Sequence, residues 1–185
     1  MPPSVVIGII AGGDRALRTP VEGAEDDTQQ GWADLAAHGI GTSDTVVGIA
    51  ASGTTPYVVE AVREARRRGI LTAGVTSNPS SPLSMAAEIA IETVVGAEVV
   101  TGSSRMKSGT AQKMVCNMIS TATMIALGRV KGSRMVNMQL SNRKLVDRGT
   151  RMIVEELGLP YAQAQTLLLV HGSVSAAIEK FRSEE

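Results

Sequence analysis

The chain has 185 residues, 43% of them apolar, and its eighteen basic side chains balance eighteen acidic ones. That length accommodates one α/β domain and a small appendage, and the composition excludes a disordered chain. Zero net charge gives no global pull toward nucleic acid or an anionic membrane, and Trp32, Tyr57, Tyr161 and Phe181 are too few aromatics for base stacking, so neither is an expected partner.

Residues 5 to 11, Val-Val-Ile-Gly-Ile-Ile-Ala, form a β-branched run ending at Gly12 and Gly13, and the pattern predicts a fully buried strand. A domain that opens directly on a core strand reads as one whose covering segment lies upstream. Thr19 to Leu35 is polar and acidic, with Pro20 placed for a helix start, Trp32, Leu35 and Ala36 as apolar anchors, and Gly39 and Gly41 as its close. Within it, Glu22 to Asp27 holds four carboxylates in six residues. Like charges this close favour the protonated form, so at least one pKa is expected to rise and one carboxylate to be poised for acid or base work. An acidic first turn that complements a helix dipole is the simpler reading of the same residues.

Thr45 to Val59 changes character midway, from a short apolar run through small hydroxylated residues to a helical pattern. Val46, Val47 and Ile49 predict a strand buried on both faces. Ser52, Gly53, Thr54 and Thr55 let backbone approach a ligand closely and supply hydroxyl donors, and Pro56 suits a first helical turn whose N–H groups face the loop. The segment reads either as a phosphate or sugar-phosphate cradle or as an ordinary capped strand-to-helix turn; taken alone it leaves both open.

A helix is predicted from Pro56 to Arg68 with Arg63, Arg66 and Arg67 on a solvated face, then a strand from Ile70 to Val75, a turn-rich loop at Asn78 to Pro82, and a strand from Ala87 to Val95. This alternation implies an α/β fold with a parallel sheet, right-handed crossovers, helices on both faces and a ligand at the strands' carboxyl ends. Thr101, Ser103 and Ser104 beside Arg105 and Lys107 exceed what helix capping needs and read as a second anion-holding corner. A long helix follows to about Leu127, its Met114, Met118, Ala122 and Ile125 stripe widened by Val115 and Ile119; so apolar a helix is expected to be mostly buried, with methionines filling a core or a dimer interface. The lone Cys116 excludes an internal disulfide and a zinc cluster and reads as a small buried hydrophobe. Past Gly132 come shorter helical segments, Leu140 to Leu157, Ala162 to Val170 and Val174 to Phe181. His38 and His171 read as surface or packing residues. No apolar run has the length of a membrane span and no cleavable leader is evident, so the expected compartment is the reducing cytoplasm.

Six segments, Gly8-Ile-Ile-Ala-Gly-Gly13, Val21-Glu-Gly-Ala-Glu-Asp-Asp27, Val47-Gly-Ile-Ala-Ala-Ser-Gly53, Thr55-Pro-Tyr-Val58, Val95-Gly-Ala-Glu-Val-Val-Thr-Gly-Ser-Ser-Arg-Met-Lys107 and Gly109-Thr-Ala-Gln-Lys-Met114, are similar to signatures of the N-acetylmuramic acid 6-phosphate etherases of the sugar-isomerase (SIS) superfamily. The run from Met135 to Arg148 and the helical tail fit as well, and Met1-Pro-Pro-Ser-Val-Val resembles the family's stretch before its second strand. The resemblance implies an α/β SIS-type three-layer sandwich over residues 1–132 that lacks the first strand, a helical C-terminal module over 133–185, and a homodimer. It implies cleavage of the lactyl ether of N-acetylmuramic acid 6-phosphate by elimination and rehydration, without metal or other cofactor. Glu25 matches one of the family's two active-site glutamates, and Ser52, Gly53, Thr54, Thr55, Ser103, Ser104 and Lys107 fall in its sugar-phosphate loops.

Two features depart from the family pattern. Thr54 stands where an Arg is usual, and a hydroxyl supplies neither the charge nor the bidentate fork. The upstream strand with its Gly-Thr-Ser-Gly loop, and the Ser-Glu-Cys-Pro-Pro segment bearing the other glutamate, have no match here, leaving Glu22, Asp26 and Asp27 as possible substitutes. The rival reading is a non-catalytic sugar-phosphate binding or regulatory module; an aldose-ketose isomerase fits the acidic cluster and the 101–107 run less well.

Overall fold

Thr45–Ile49 and Leu71–Thr76, each with a glycine at its centre that admits a neighbouring helix, form strands β1 and β2, and Ile89–Glu92 forms β3. The three pair in parallel in the order β1-β2-β3, with Val47 opposite Ala73 and Val75 opposite Ile91. Three helices accompany them: α1 (Gln30–Ala37), α2 (Pro56–Arg67) and α3 (Pro82–Ala86). This computed structural model describes residues 4–184, so Met1, Pro2 and Pro3 of the opening motif lie outside the described residues. The chain divides into two units, Met1–Asn117 and Met118–Glu185.

In the first unit, α2 and α3 pack on the sheet, and α1 packs along α2. Val46, Ala50, Val59, Val62, Ala65, Ile70, Leu83, Ala86 and Ala87 form the core, with Trp32, Leu35, Ile40 and Val58 against it. α1 and α2 approach so closely that a Cβ on Gly31 would come within 2.3 Å of the Tyr57 carbonyl oxygen. The arginine face of α2 is more engaged than expected. Arg66 donates to the carbonyls of Met85, Ala86 and Ala87 at 3.4, 3.2 and 3.1 Å, capping the end of α3. Arg63 pairs with Glu60, and Arg67 and Arg68 both bind Glu64, whose carboxyl they pull down to about 2. The Arg68 guanidinium also lies over the Trp32 ring, 4.3 Å from its centroid.

Four expectations need correction here. The run from Val5 to Ala11 is irregular rather than a buried strand, and Val5, Val6, Ile7 and Ile10 are exposed. β-Branched residues become a strand only where a neighbour completes the ladder, and the sheet ends at β1. β1 is buried on one face alone: Val46 faces the helices, whereas Val47 and Ile49 on the other side remain 37% and 41% exposed, so no second helical layer covers them among the described residues. Pro20 starts no helix; a 3-10 turn at Ala24–Asp26 and then α1 occupy that stretch. The fourth concerns α4 (Lys107–Ala126), which crosses the boundary between units. Its only buried side chains among the described residues are Ser108 and Val115, while Met114, Met118, Ile119 and Ile125 are exposed, as is Cys116. Apolar periodicity identifies a face suited to cover without supplying the cover.

In the second unit a short antiparallel hairpin, β4 (Val130–Lys131) and β5 (Arg134–Met135), precedes α5 (Arg143–Leu157), α6 (Tyr161–His171) and α7 (Val174–Glu184). The Asn142 side chain caps α5 by accepting from the Leu145 amide at 3.0 Å. The helices pack mutually around Val136, Ile153, Ala164, Leu168, Val174, Ala177 and Ile178. Glu156 ties the hairpin to α7, accepting from Lys131 and Arg182, each at 2.8 Å.

Candidate functional site

In a parallel sheet the loops after the strands gather at one edge, and β1 and β2 bring two of them side by side. The first is Ala51–Thr55, which leads into α2. Gly53 adopts a φ of +72°, and a Cβ there would lie 2.2 Å from the Ser81 Oγ and 2.6 Å from the Thr76 Oγ1, so the turn requires glycine twice over, for conformation and for space. Ser52 Oγ accepts from the Thr54 amide at 3.2 Å and the Thr54 hydroxyl at 2.9 Å, which folds the hydroxyls of the loop together. Ser52 and Thr54 are at or near the surface, and Thr55 is the N-cap of α2 with no side-chain bond of its own to the helix.

The second loop, Ser77–Ser81, clasps the first. Asn78 Nδ2 donates to the Ala51 and Ser52 carbonyls at 3.0 and 3.2 Å. The Ser77 amide donates to Ala51 at 3.0 Å, and the Leu83 amide to Gly53 at 2.9 Å. Ser81 caps α3 by accepting from the Ser84 amide at 3.3 Å. At the end of β3, Glu92 accepts from the Ser80 amide at 2.8 Å; that bond and the Ser84 hydroxyl hold its carboxyl below the usual range. Asn78 to Pro82 is thus more than the turn-rich loop expected from sequence, and Asn78, Ser81 and Glu92 join the candidate residues. Their signal was present as a cluster of Ser and Asn directly after a strand's carboxyl end.

The acidic cluster separates. Asp27 accepts from the Gln29 and Gln30 amides at 2.8 and 2.9 Å, and these bonds lower its pKa, opposite to the rise expected from crowding. It caps α1 and is committed to that task. Glu22, Glu25 and Asp26 are exposed, and the turn carrying Glu25 packs against α2, the helix that leaves the Ser52–Thr55 loop. Glu25 and the central loop are thus joined through one helix.

The Thr101–Lys107 corner differs from expectation. The start of α4 already holds an anion: Glu98 accepts from the Lys107 and Ser108 amides at 3.1 and 3.0 Å. The Ser108 amide above all, then that of Lys107, keeps the Glu98 carboxyl below its ordinary range. Ser103 is half-buried with its amide on the Val100 carbonyl, and Ser104 and Lys107 are exposed. No extended packing joins α4 to α1, α2 or α3 among the described residues, so this corner is not brought to the central loop as Glu25 is.

The profile of the glucokinase regulatory protein N-terminal SIS domain matches residues 2–65. Among curated relatives, the N-acetylmuramic acid 6-phosphate etherase of Bacteroides thetaiotaomicron is 67% identical over 182 residues, covering 98% of this chain and 66% of its own. That of Porphyromonas gingivalis (strain ATCC 33277) is 66% identical over 184 residues, 100% of this chain and 67% of its own. The more distant etherase of Jannaschia sp. is 56% identical over 179 residues. A crystal structure from Bacillus subtilis, a candidate phosphosugar isomerase, aligns with 52% of this chain and 23% of its own at 24% identity and a TM-score of 0.29, too loose a likeness to carry weight. The chain spans about two thirds of the length of the curated relatives it matches. At this level of identity over nearly every residue, the chain belongs to the N-acetylmuramic acid 6-phosphate etherase family.

Proposed function

We propose that the chain carries the substrate site of an etherase that converts N-acetylmuramic acid 6-phosphate to N-acetylglucosamine 6-phosphate and D-lactate, in the recycling of cell-wall amino sugars. The observation that carries this reading is the Ser52–Thr55 loop, hydroxyl-rich, at a strand's carboxyl end and leading into the start of α2, with the Ala51, Ser52 and Gly53 carbonyls bound to the neighbouring segment. Ser52, Gly53, Thr54 and Thr55 take the 6-phosphate; Ser103, Ser104 and Lys107, whose corner is not packed against that loop among the described residues, are assigned no contact with it.

Glu25 is the base. It removes the C2 proton, the C2–C3 double bond forms as the C3–O bond breaks, and a second carboxyl group protonates the departing lactate oxygen. Water then adds its oxygen to C3 and a proton to C2. Neither metal nor cofactor enters this scheme. The protein is a cytoplasmic homodimer, with residues 1–132 as the sugar-phosphate domain and 133–185 as a helical module.

D-lactate release from N-acetylmuramic acid 6-phosphate by wild type and by Glu25→Gln tests the reading. Release that is lost in the variant is the expected result, and a folded wild type that releases none sinks it. A second reading, a non-catalytic sugar-phosphate binding module, is favoured by the regulatory-protein profile over residues 2–65 and by the commitment of Asp27 to capping, which leaves one fewer carboxylate for the acid. Sugar-phosphate binding without lactate release would select it.

A further inference from the structure

We propose that Asn78 is a positioning residue that sets the conformation of the Ser52–Thr55 loop, an assignment that deepens the sugar-phosphate reading and rests on it for its ligand. A loop that presents donors to an anion must turn its carbonyl dipoles away and satisfy them elsewhere. Here three consecutive carbonyls are satisfied by the end of β2, the loop that follows it and the start of α3. Ala51 accepts from the Thr76 hydroxyl at 3.3 Å, the Ser77 amide at 3.0 Å and Asn78 Nδ2 at 3.0 Å. Gly53 accepts from the Leu83 amide at 2.9 Å. Between them, Ser52 accepts from Asn78 Nδ2 at 3.2 Å.

One primary amide carries two donors, and adjacent carbonyls on one side of a turn suit such a group. An asparagine before proline usually organises its own turn by bonding backbone two or three residues away. The Asn78 side chain instead reaches back 27 and 26 positions, to the loop of another strand. Its own amide is anchored on the Thr76 hydroxyl at 3.2 Å, and Thr76 is wholly buried, so the donor group is held from behind by the sheet. The other bonds to the loop come from backbone amides and a buried threonine. Asn78 is therefore the exposed side chain through which the loop's shape can be altered without disturbing the sheet.

The test uses the 185-residue chain as wild type, Asn78→Ala and Asn78→Asp, with circular dichroism confirming that each is folded. Amide exchange at Ser52, Gly53, Thr54 and Thr55 reports loop order. Affinities for N-acetylglucosamine 6-phosphate and for unphosphorylated N-acetylglucosamine report the consequence for a ligand. Loop amides are expected to exchange about tenfold faster in Asn78→Ala, and the affinity gained from the phosphate to fall about tenfold, with the unphosphorylated sugar unaffected. Asn78→Asp, which sets a carboxylate against two carbonyls, is expected to be worse on both counts. Unchanged loop exchange in both variants overturns the assignment, as does a lowered melting temperature with the phosphate preference intact. A wild type with a protected loop but no preference for the phosphorylated sugar overturns the sugar-phosphate reading instead, and loop exchange then decides the role of Asn78 by itself.

Discussion

The Tyr57 hydroxyl donates to the Asp34 carboxylate at 2.5 Å, bridging the first turn of α2 to the middle of α1. Burial and the adjacent Asp34 carboxylate raise the phenol's pKa. A folded-state pKa above the unfolded one means that the contribution is complete below about pH 10 and is lost as the phenol ionises at higher pH. Removing the hydroxyl in Tyr57→Phe is expected to cost about 1.5–3 kcal/mol at neutral pH, the range for a hydrogen bond to a charged group. Urea unfolding from pH 7 to 11 should find that difference shrinking at the alkaline end, and a constant difference would count against the bond.

Gly53→Ala introduces a methyl group where the Ser81 Oγ stands 2.2 Å away, at a φ of +72°. The expected loss is at least 1 to 2 kcal/mol from the left-handed backbone alone, plus the displacement of Ser81. The double variant Gly53→Ala with Ser81→Gly should recover part of the melting temperature lost by Gly53→Ala, measured against Ser81→Gly alone to account for the lost α3 cap, since it removes the nearer contact and leaves the Thr76 Oγ1 contact at 2.6 Å and the backbone strain. No recovery would mean that the close approach is not what excludes a side chain.

Thr54 supplies a hydroxyl bonded to Ser52 at 2.9 Å and brings no charge to the loop. Thr54→Arg adds a cation with forked donors beside the proposed phosphate, and calorimetry with N-acetylglucosamine 6-phosphate is expected to give about tenfold tighter binding at low salt. The gain should fade as salt rises. Affinity that is indifferent to the substitution would move the phosphate away from this loop.

Glu98 serves the start of α4 only while ionised. Its carboxyl is held below its ordinary value, chiefly by the Ser108 amide, so its contribution is present above the unfolded carboxylate pKa of about 4.3 and is lost as pH falls through the lower folded value. Protection of the Lys107 and Ser108 amides from exchange should therefore collapse on acidification. In Glu98→Gln it should already be weaker at pH 7, and equal protection in wild type and variant would remove the cap from the account.

Leu83 is completely buried, packed against Gly48 of β1 and Gly74 of β2. Leu83→Ala should cost about 2–5 kcal/mol in chemical unfolding, the cost of a core cavity. A loss below 1 kcal/mol would require the site to collapse around the missing atoms.

The parallel sheet was legible because its strands and intervening helix switch period cleanly: β2 lies within one residue of Ile70 to Val75, and α2 ends one residue before Arg68. Glycine and serine chemistry located the Ser52–Thr55 turn for the same local reason. What escaped the sequence depends on partners distant along the chain. Val5 to Ala11 has every strand-forming residue and no ladder, and the apolar stripe of α4 has the period of a buried face with little to bury it. Asn78 gave only a local turn signal because its bonds reach 26 and 27 positions back. Glu98 likewise lies nine positions from the amides of Lys107, beyond the three-residue spacing of a capping box.

That carboxylate makes the start of α4 a site already in competition. Tethered nine positions away along the chain, Glu98 acts at an effective concentration on the order of millimolar, against which a free monovalent anion at micromolar levels competes poorly. A ligand gains the two amides only if it brings enough other contacts to outbid a resident group that never diffuses away. Access to these two amides thus depends on chain connectivity as well as on charge.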